Sequence, residues 1–408
     1  MTSKKKKFHY AWVVLIGCTL LFFTIAGLSG NCFSVYSPFI MKQYGFSKTR
    51  ISLISSVSSL AATGSVLLTT VLYKKVSLRN GVLIAGLLNA AAYGLFGLAD
   101  SYPMFLLASA LKGFSYGLGS MVPIALIITN WFRTKRTLAL SIISASSGLA
   151  TIGIPSVITW VIQHYGIHVS FLGTAALFAV LYLLVWLLIR STPEELSLTP
   201  YEGQEAPSGE KAAAEESEPV RTLPNKWWTL LTVAIIGATC IVTCYGNLSM
   251  HSTVSGITPE IVAIVVSTAG ASLMGGKLLY GVVATAIGQK KTSLLFGIVG
   301  VAGLVSCCFT FLSIIFLFAG TVCIGIAASS LVVGSVAWVN DWALPEDRAE
   351  HVKAFQTAYN AGSLINGLLA GVLADAFGGS YIPFFALSAG ITVLYIVAVD
   401  AAYRRQAR

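Results

Sequence analysis

The sequence predicts an all-α membrane protein of twelve transmembrane helices, arranged as two pseudo-symmetric six-helix bundles with both termini cytoplasmic. Three observations predict it. First, 56% of the 408 residues are hydrophobic and only 10% are charged, against roughly a quarter charged in a soluble globular protein. A water-soluble fold of this size has too much surface to hide so much apolar mass. Second, apolar runs of about 20 residues, the length that crosses a bilayer, recur along the whole chain. Third, a single segment, 191–226, breaks the pattern near the middle.

The runs place helices at roughly 10–38, 51–73, 80–100, 103–131, 136–163 and 169–190, then 227–250, 258–286, 292–311, 313–340, 352–377 and 381–403, each near the ~20-residue span length. Sorting the 26 Lys and Arg residues over these helices gives the orientation. The amino terminus, the even-numbered junctions and the carboxyl terminus hold 21 of them. Lys42, Lys48 and Arg50 lie at odd-numbered junctions, and Lys112 and Lys277 lie inside helices. The positive-inside rule then puts both termini in the cytoplasm. Lys4 to Lys7 are not the start of a cleaved signal peptide, because the apolar stretch after them is too long and no small-residue cleavage site follows.

The segment 191–226 holds eight of the 16 acidic residues and is rich in Pro, Ser, Gly and Ala. Such a composition cannot bury a core and reads as a flexible cytoplasmic linker. It separates an amino-terminal bundle, 1–190, from a carboxyl-terminal bundle, 227–408. The halves share sparse similarity. Gly30-Asn31 in the first helix matches Gly246-Asn247 in the seventh, and Gly64 to Leu68 matches Gly275 to Leu279. Parallel repeats of this kind build one large class of secondary transporters. Gly113/Gly117 and Gly367/Gly371 have the small-xxx-small spacing of closely packed helices. Pro123, Pro155 and Pro259 fall within helices as candidate kinks. The seven cysteines all lie in helices and read as small apolar residues, with neither a disulfide framework nor a metal site implied.

Several stretches resemble the branch of the major facilitator superfamily that contains the monocarboxylate transporters and the oxalate–formate antiporters. They are His9 to Val14, Phe33 to Phe39 followed by Tyr44 to Ser47, Trp131 to Ala139 with Ser146-Ser147-Gly148, and Gly371 to Asp375 with Gly378 to Tyr381 and Phe384. The resemblance runs in order along the whole chain. It implies carriage of a small mono- or dicarboxylate by alternating access, as anion antiport or as anion–proton symport. Departures are informative. Lys74 and Lys75 stand where the family's cytoplasmic motif has an Asp-Arg pair, leaving Arg79; Thr285 and Ala286 stand at the repeat of that pair, with Gly281, Gly288, Lys290 and Lys291 kept. The branch's carboxylate-binding Arg on helix 8 corresponds to Lys277, its proton-coupling Asp to Leu273, and the second cation of oxalate–formate relatives to Gly362.

The residues themselves point the same way. Lys277 lies about ten residues from the cytoplasmic end of its helix, roughly 15 Å deep at ~1.5 Å per residue. Lys112 lies at a comparable depth from the other side. Asp100, Glu260, Asp341, Asp375 and Asp400 all sit near helix ends, so neither lysine has an acidic counter-ion. A buried unpaired cation is costly. Either backbone carbonyls hold it, or an anionic substrate supplies the missing charge. Tyr116 and Tyr280 lie one turn below these lysines. Tyr36, Asn31, Asn247, Tyr359 and Asn360 complete the candidate substrate-binding set. Tyr245 and Asn366 are further polar candidates, and His164, His168 and His251 read as outer-loop residues.

No nucleotide-binding loop, nucleophile elbow, metal cluster or cofactor motif appears, so the sequence indicates neither an enzyme nor a cofactor. Basic cytoplasmic residues are explained by topology and anionic lipid, not by nucleic acid. The expected partners are a carboxylate, protons or a counter-anion, and the bilayer of a bacterial inner membrane, with the chain monomeric. Two alternatives remain at this stage. One is an exporter of drugs or neutral solutes on the same fold. The other is a sensor that binds without translocating.

Overall fold

The computed structural model describes residues 9–133, 135–202, 223–343 and 347–406. The Lys4–Lys7 run, residues 203–222 of the acidic segment and the carboxyl-terminal Ala407-Arg408 lie outside the described residues. The described residues are overwhelmingly helical, and among them eleven helices or helix runs are long and apolar enough to cross a membrane.

The first span, Ala11–Tyr44, is not one regular helix. Helix α1 (Ala11–Phe22) passes into a π-helical turn over Phe23–Leu28, then a 3-10 segment over Asn31–Val35, then α2 (Tyr36–Tyr44). Such irregular turns mark functional hinges more often than chance. It is followed along the chain by α3 (Lys48–Lys75) and α4 (Leu78–Gly97), whose first turns are capped by the hydroxyls of Ser47 and Ser77. The fourth span divides at Ser120 into α5 (Tyr102–Gly119) and α6 (Met121–Trp131). The fifth divides after Leu149 into α7 (Arg136–Leu149) and α8 (Ile154–Tyr165), and α9 (Ile167–Leu188) closes the half.

The second half opens with α10 (Asn225–Ala238), α11 (Cys240–Gly246) and α12 (Leu248–Val254), one broken rod. It continues with α13 (Pro259–Ile287), α14 (Gln289–Cys308), α15 (Ile314–Trp342), α16 (Arg348–Ala376) and α17 (Ile382–Gln406). Helix α16 is the predicted eleventh helix. It is long enough to span but is absent from the apolar set; Gln356, Asn360 and Asn366 dilute its apolar residues. Twelve spans therefore rest on this polar helix sharing the bundle.

The prolines refine the expectation of kinks. Pro155 and Pro259 sit in the first turns of α8 and α13, where no helical hydrogen bond is lost. Pro123 sits just past the break at Ser120. The repeat signal has a structural counterpart. Gly30-Asn31 opens the 3-10 segment of the first span, and Gly246-Asn247 marks the break between α11 and α12.

Two apolar cores form, one largely in each half, with Val266 of α13 packed into the first. Part of the acidic segment is ordered rather than loose. Residues 193–196 form a 3-10 turn, and Tyr201 pairs with the α6–α7 turn. Its N–H donates to Trp131 O, and Arg133 N–H donates to Tyr201 O. The Tyr201 ring packs on Trp12 and Phe132. Aromatic burial offsets the polar composition of this stretch.

Candidate functional site

Among the described residues the two halves meet along several helix pairings. Helix α3 packs on α16, the α7–α8 pair packs on α13, and the distal part of the first span packs on α12. Small residues make this approach close. A Cβ added at Gly148 of α7 would sit 2.7 Å from the Met274 Cβ of α13, and one at Gly270 would overlap Thr151. On the other flank, Gly367 and Gly371 of α16 face Ser56 and Ser52 of α3. The Gly367/Gly371 pair therefore joins halves, whereas Gly113/Gly117 joins α5 to α3 within one half.

The close approach of α7 and α13 brings Lys277 across the interface. Its ammonium donates to the Ser144 carbonyl and to the Ser147 hydroxyl, both at 3.0 Å. Ser147 also receives the Asn31 side chain, whose Nδ2 donates to Ser147 O at 3.0 Å. Asn31 lies in the 3-10 segment, and two residues further the Phe33 ring meets the second lysine. Lys112 Nζ stands 3.7 Å over the Phe33 centroid, and the residue is 8% exposed. Lys112 thus meets the irregular stretch of the first span directly, and Lys277 docks on α7 at Ser147, to which Asn31 of that stretch also bonds. Among the described residues neither forms a salt bridge; the ion pairs join Arg133 to Glu202, and Lys290 and Arg404 to Asp400.

Three tyrosines, from α5, α11 and α16, lie near one another. Tyr359 of α16 lies within electrostatic reach of Tyr116 of α5, and Tyr245 of α11 lies within reach of Tyr359 and Cys32. Of the predicted set, Lys277 and Asn31 both bond Ser147, Lys112 meets Phe33, and Tyr359 lies near Tyr116.

Other members are placed elsewhere. The Tyr36 hydroxyl pairs with Ser170 and Thr174, and its ring stacks on Phe171 at 4.1 Å, inside the first core. Tyr280, three residues on, is offset by about 60° from Lys277 at ~100° per residue, yet it does not share that site. Its hydroxyl pairs with Ser293 and Gln289 inside the second core. Asn247 donates to Thr243 O and closes the break in the seventh span. Asn360 accepts a 3.4 Å contact from Gln356 on its own helix. Asn366 is a packing residue, donating to Ile236 O and Thr239 Oγ1. His251 is no loop residue: it is buried in α12, beside Cys307 O and Thr310 Oγ1. All seven cysteines are free.

Sequence reading missed Ser144, Ser147 and Thr151 as partners. Their signal was spacing, since positions 144, 147, 148 and 151 form one small-residue helix face. The departure at Gly362 also acquires a cause. A Cβ there would collide with Thr239 and Ile236 of α10, so the position has no room for a cation.

Two helical halves joined across an interface that carries a mid-span lysine are the layout of a membrane transport protein. The Major Facilitator Superfamily model matches residues 19–279 and 248–407, and the chain belongs to that superfamily. It is 24% identical over 397 residues to the "Oxalate:formate antiporter" of Oxalobacter formigenes, covering 95% of this chain and 87% of that protein. Among solved structures it is similar to the nucleoside transporter NupG, with TM-score 0.72, 16% identity and coverage of 97% and 99% of the two chains. It is similar to a mutant of the peptide transporter POT in complex with sulfate, with TM-score 0.73, 14% identity and coverage of 97% and 94%. A bacterial homolog of the human lysosomal transporter Spinster, inward-facing and unoccupied, aligns with TM-score 0.64, 15% identity and coverage of 98% and 96%. These likenesses fix the fold. The chain is a multi-pass membrane protein of a transporter family, and a bacterial plasma membrane fits it.

Proposed function

We propose that the chain carries a small organic anion, a mono- or dicarboxylate, by alternating access. The observation that carries this reading is the pair of mid-span lysines, one in each half, that have no acidic partner among the described residues, with Lys277 reaching across to the other half. The Ser144 carbonyl and Ser147 hydroxyl orient the Lys277 ammonium but leave its charge uncancelled. Ammonium has three donors, so one remains for a substrate oxygen. The likeness to an oxalate:formate antiporter supports the same substrate class. An apolar or acidic cavity, suited to drug export, would not be built around two cations.

The positive-inside rule puts the termini in the cytoplasm. On that orientation the inter-half hydrogen bonds, which run from the far ends of the helices to Lys277, close the outer side. Exchange is the coupling favoured. A carrier that crosses only when loaded never moves two bare lysines through the barrier, which would cost several kcal/mol.

Purified protein in liposomes loaded with oxalate or formate, assayed for uptake of the labelled partner, tests the reading. Counter-anion-dependent uptake without a pH change is expected. Uptake accompanied by alkalinisation outside would indicate symport instead. Failure of both anions to be carried or bound would refute the proposal. Lys277→Ala is expected to abolish uptake while leaving a folded, monodisperse protein.

A further inference from the structure

We infer that Phe33 is the positioning residue for Lys112: its ring face holds the ammonium in place while leaving hydrogen-bond donors open to the carried anion. This rests on the anion-carrier reading above. Lys112 lies mid-span in α5 and is 8% exposed. An ammonium has three donors. Among the described residues Lys112 Nζ nonetheless makes no hydrogen bond and no ion pair, and its contact is the Phe33 ring, 3.7 Å to the centroid.

The kind of partner decides what a buried lysine can do. A carboxylate would cancel its charge. A hydroxyl or carbonyl would occupy a donor, as Ser144 and Ser147 do at Lys277. An aromatic face attracts the charge through its quadrupole and supplies no acceptor lone pair. A tetrahedral ammonium above one ring cannot aim every N–H at it, so the N–H bonds on the far side stay open. An aliphatic side chain in the same place would offer the buried charge nothing. The polar groups of α5 itself are turned elsewhere. Ser109 and Ser115, one turn either side of Lys112, donate to Ile54 O and Ala85 O.

The ring is fixed. Phe33 is 4% exposed and packs on Phe96 at 5.2 Å and on Tyr36 and Tyr93. Its 3-10 segment is pinned on both sides: Asn31 donates to Ser147 O, and Ser34 O accepts from the Ser249 hydroxyl of α12. The ring is therefore a pedestal rather than a gate. An arriving carboxylate meets the ammonium from the side opposite the ring and does not have to displace it. Lys112 and Phe33 both belong to the first half, so the pair travels as one when the halves rock.

The test keeps the shape of the ring and changes its charge distribution. Full-length protein is made with mono-, di- and trifluorinated phenylalanine in place of Phe33; fluorine withdraws charge from the ring face and alters its volume little. Oxalate and formate are the probes, and KM for exchange in liposomes and the anion-induced rise in unfolding midpoint are read. The inference expects KM to climb stepwise with fluorination, to about 10-fold for the trifluorinated ring, which is about 1.4 kcal/mol and within the range for a cation over an aromatic face. The anion-induced rise should shrink in the same order. In Lys112→Met the trend should vanish. A KM that is flat or falls along the series overturns the inference, because a packing role depends on shape and a displaced ring would compete with the anion. A trend that survives in Lys112→Met overturns it too. If unmodified protein responds to neither anion, the carrier reading fails and takes the inference with it. If unmodified protein responds and the series is flat, the inference alone fails.

Discussion

Lys112 and Lys277 are held by different chemistry, and this separates their expected behaviour. Lys277 spends two of its three donors on neutral acceptors of the opposite half, so its charge is oriented and its position reports on the interface. Lys112 sits on the Phe33 ring, a contact worth about 0.5–2 kcal/mol that falls short of the several kcal/mol lost on desolvating an ammonium. Lys112→Met keeps the length and apolar stem of the side chain and deletes the charge. The protein should then hold or raise its unfolding midpoint by a few degrees, while anion exchange falls at least ~10-fold, the effect of about 1.4 kcal/mol at the site. Liposome exchange together with thermal unfolding checks both halves of this expectation. A loss of stability with exchange intact would make Lys112 a packing residue. The residues that lysine arithmetic could find were legible in the sequence, because an ionisable group far from either helix end is rare and expensive. Tyr36 and Tyr280 were not, because their direction depends on which helix face meets which neighbour, and in a chain that is apolar on nearly every face periodicity carries little directional signal.

At the scale of elements, the site exists because α7 and α13 touch backbone to backbone. Gly148 faces Gly270 O and Met274, and Gly270 faces Thr151. Any side chain at either position holds the helices apart and takes Ser144 and Ser147 out of reach of Lys277. Gly270→Val should therefore leave each half folded, since the contact lies between cores rather than within one, yet reduce exchange by ~10²-fold or more, the cost of misplacing a positioned group by about 1 Å. Exchange measured alongside circular dichroism tests this, and full exchange by Gly270→Val would show that the close approach is not needed. The helix spans themselves were legible from apolar runs to within a few residues. Their interruptions were not. The π-helical turn at Phe23–Leu28 has no proline or charge to announce it, and it arises where Gly27 lets the first span approach Ser147 and Ala150. Local propensity is outweighed there by packing against a helix more than a hundred residues away.

For the whole molecule the question is what holds one end of the joint shut. Among the described residues, hydrogen bonds between halves occur at Lys277 and on toward the ends of the helices away from the chain termini. The strongest cluster is a helix cap borrowed across the interface. Asp375, at the last turn of α16, accepts from Lys48 N–H at 3.1 Å, from Thr49 N–H at 2.8 Å and from the Thr49 hydroxyl at 2.6 Å. These are the first residues of α3, where unpaired N–H groups and the helix dipole favour a carboxylate. The own-half cap, Ser47, reaches only Arg50 N–H, so the second half completes the first half's helix. Charged hydrogen bonds of this kind contribute roughly 1.5–3 kcal/mol each when buried, but the site is exposed, and screening reduces the total to about 1–2 kcal/mol. That is still a factor of about 5–30 in a two-state ratio. Asp375→Ala should shift the population toward the conformation open at this end by that factor. Spin labels on the distal ends of α3 and α16 would report it as growth of a longer-distance component. Anion exchange should respond less steeply than the distance distribution, because a carrier must both close and open this end in each cycle, and easing one step burdens the other. An unchanged distance distribution would mean that Gln163–Glu260 and Ser249–Ser34 suffice to hold the end closed without the borrowed cap.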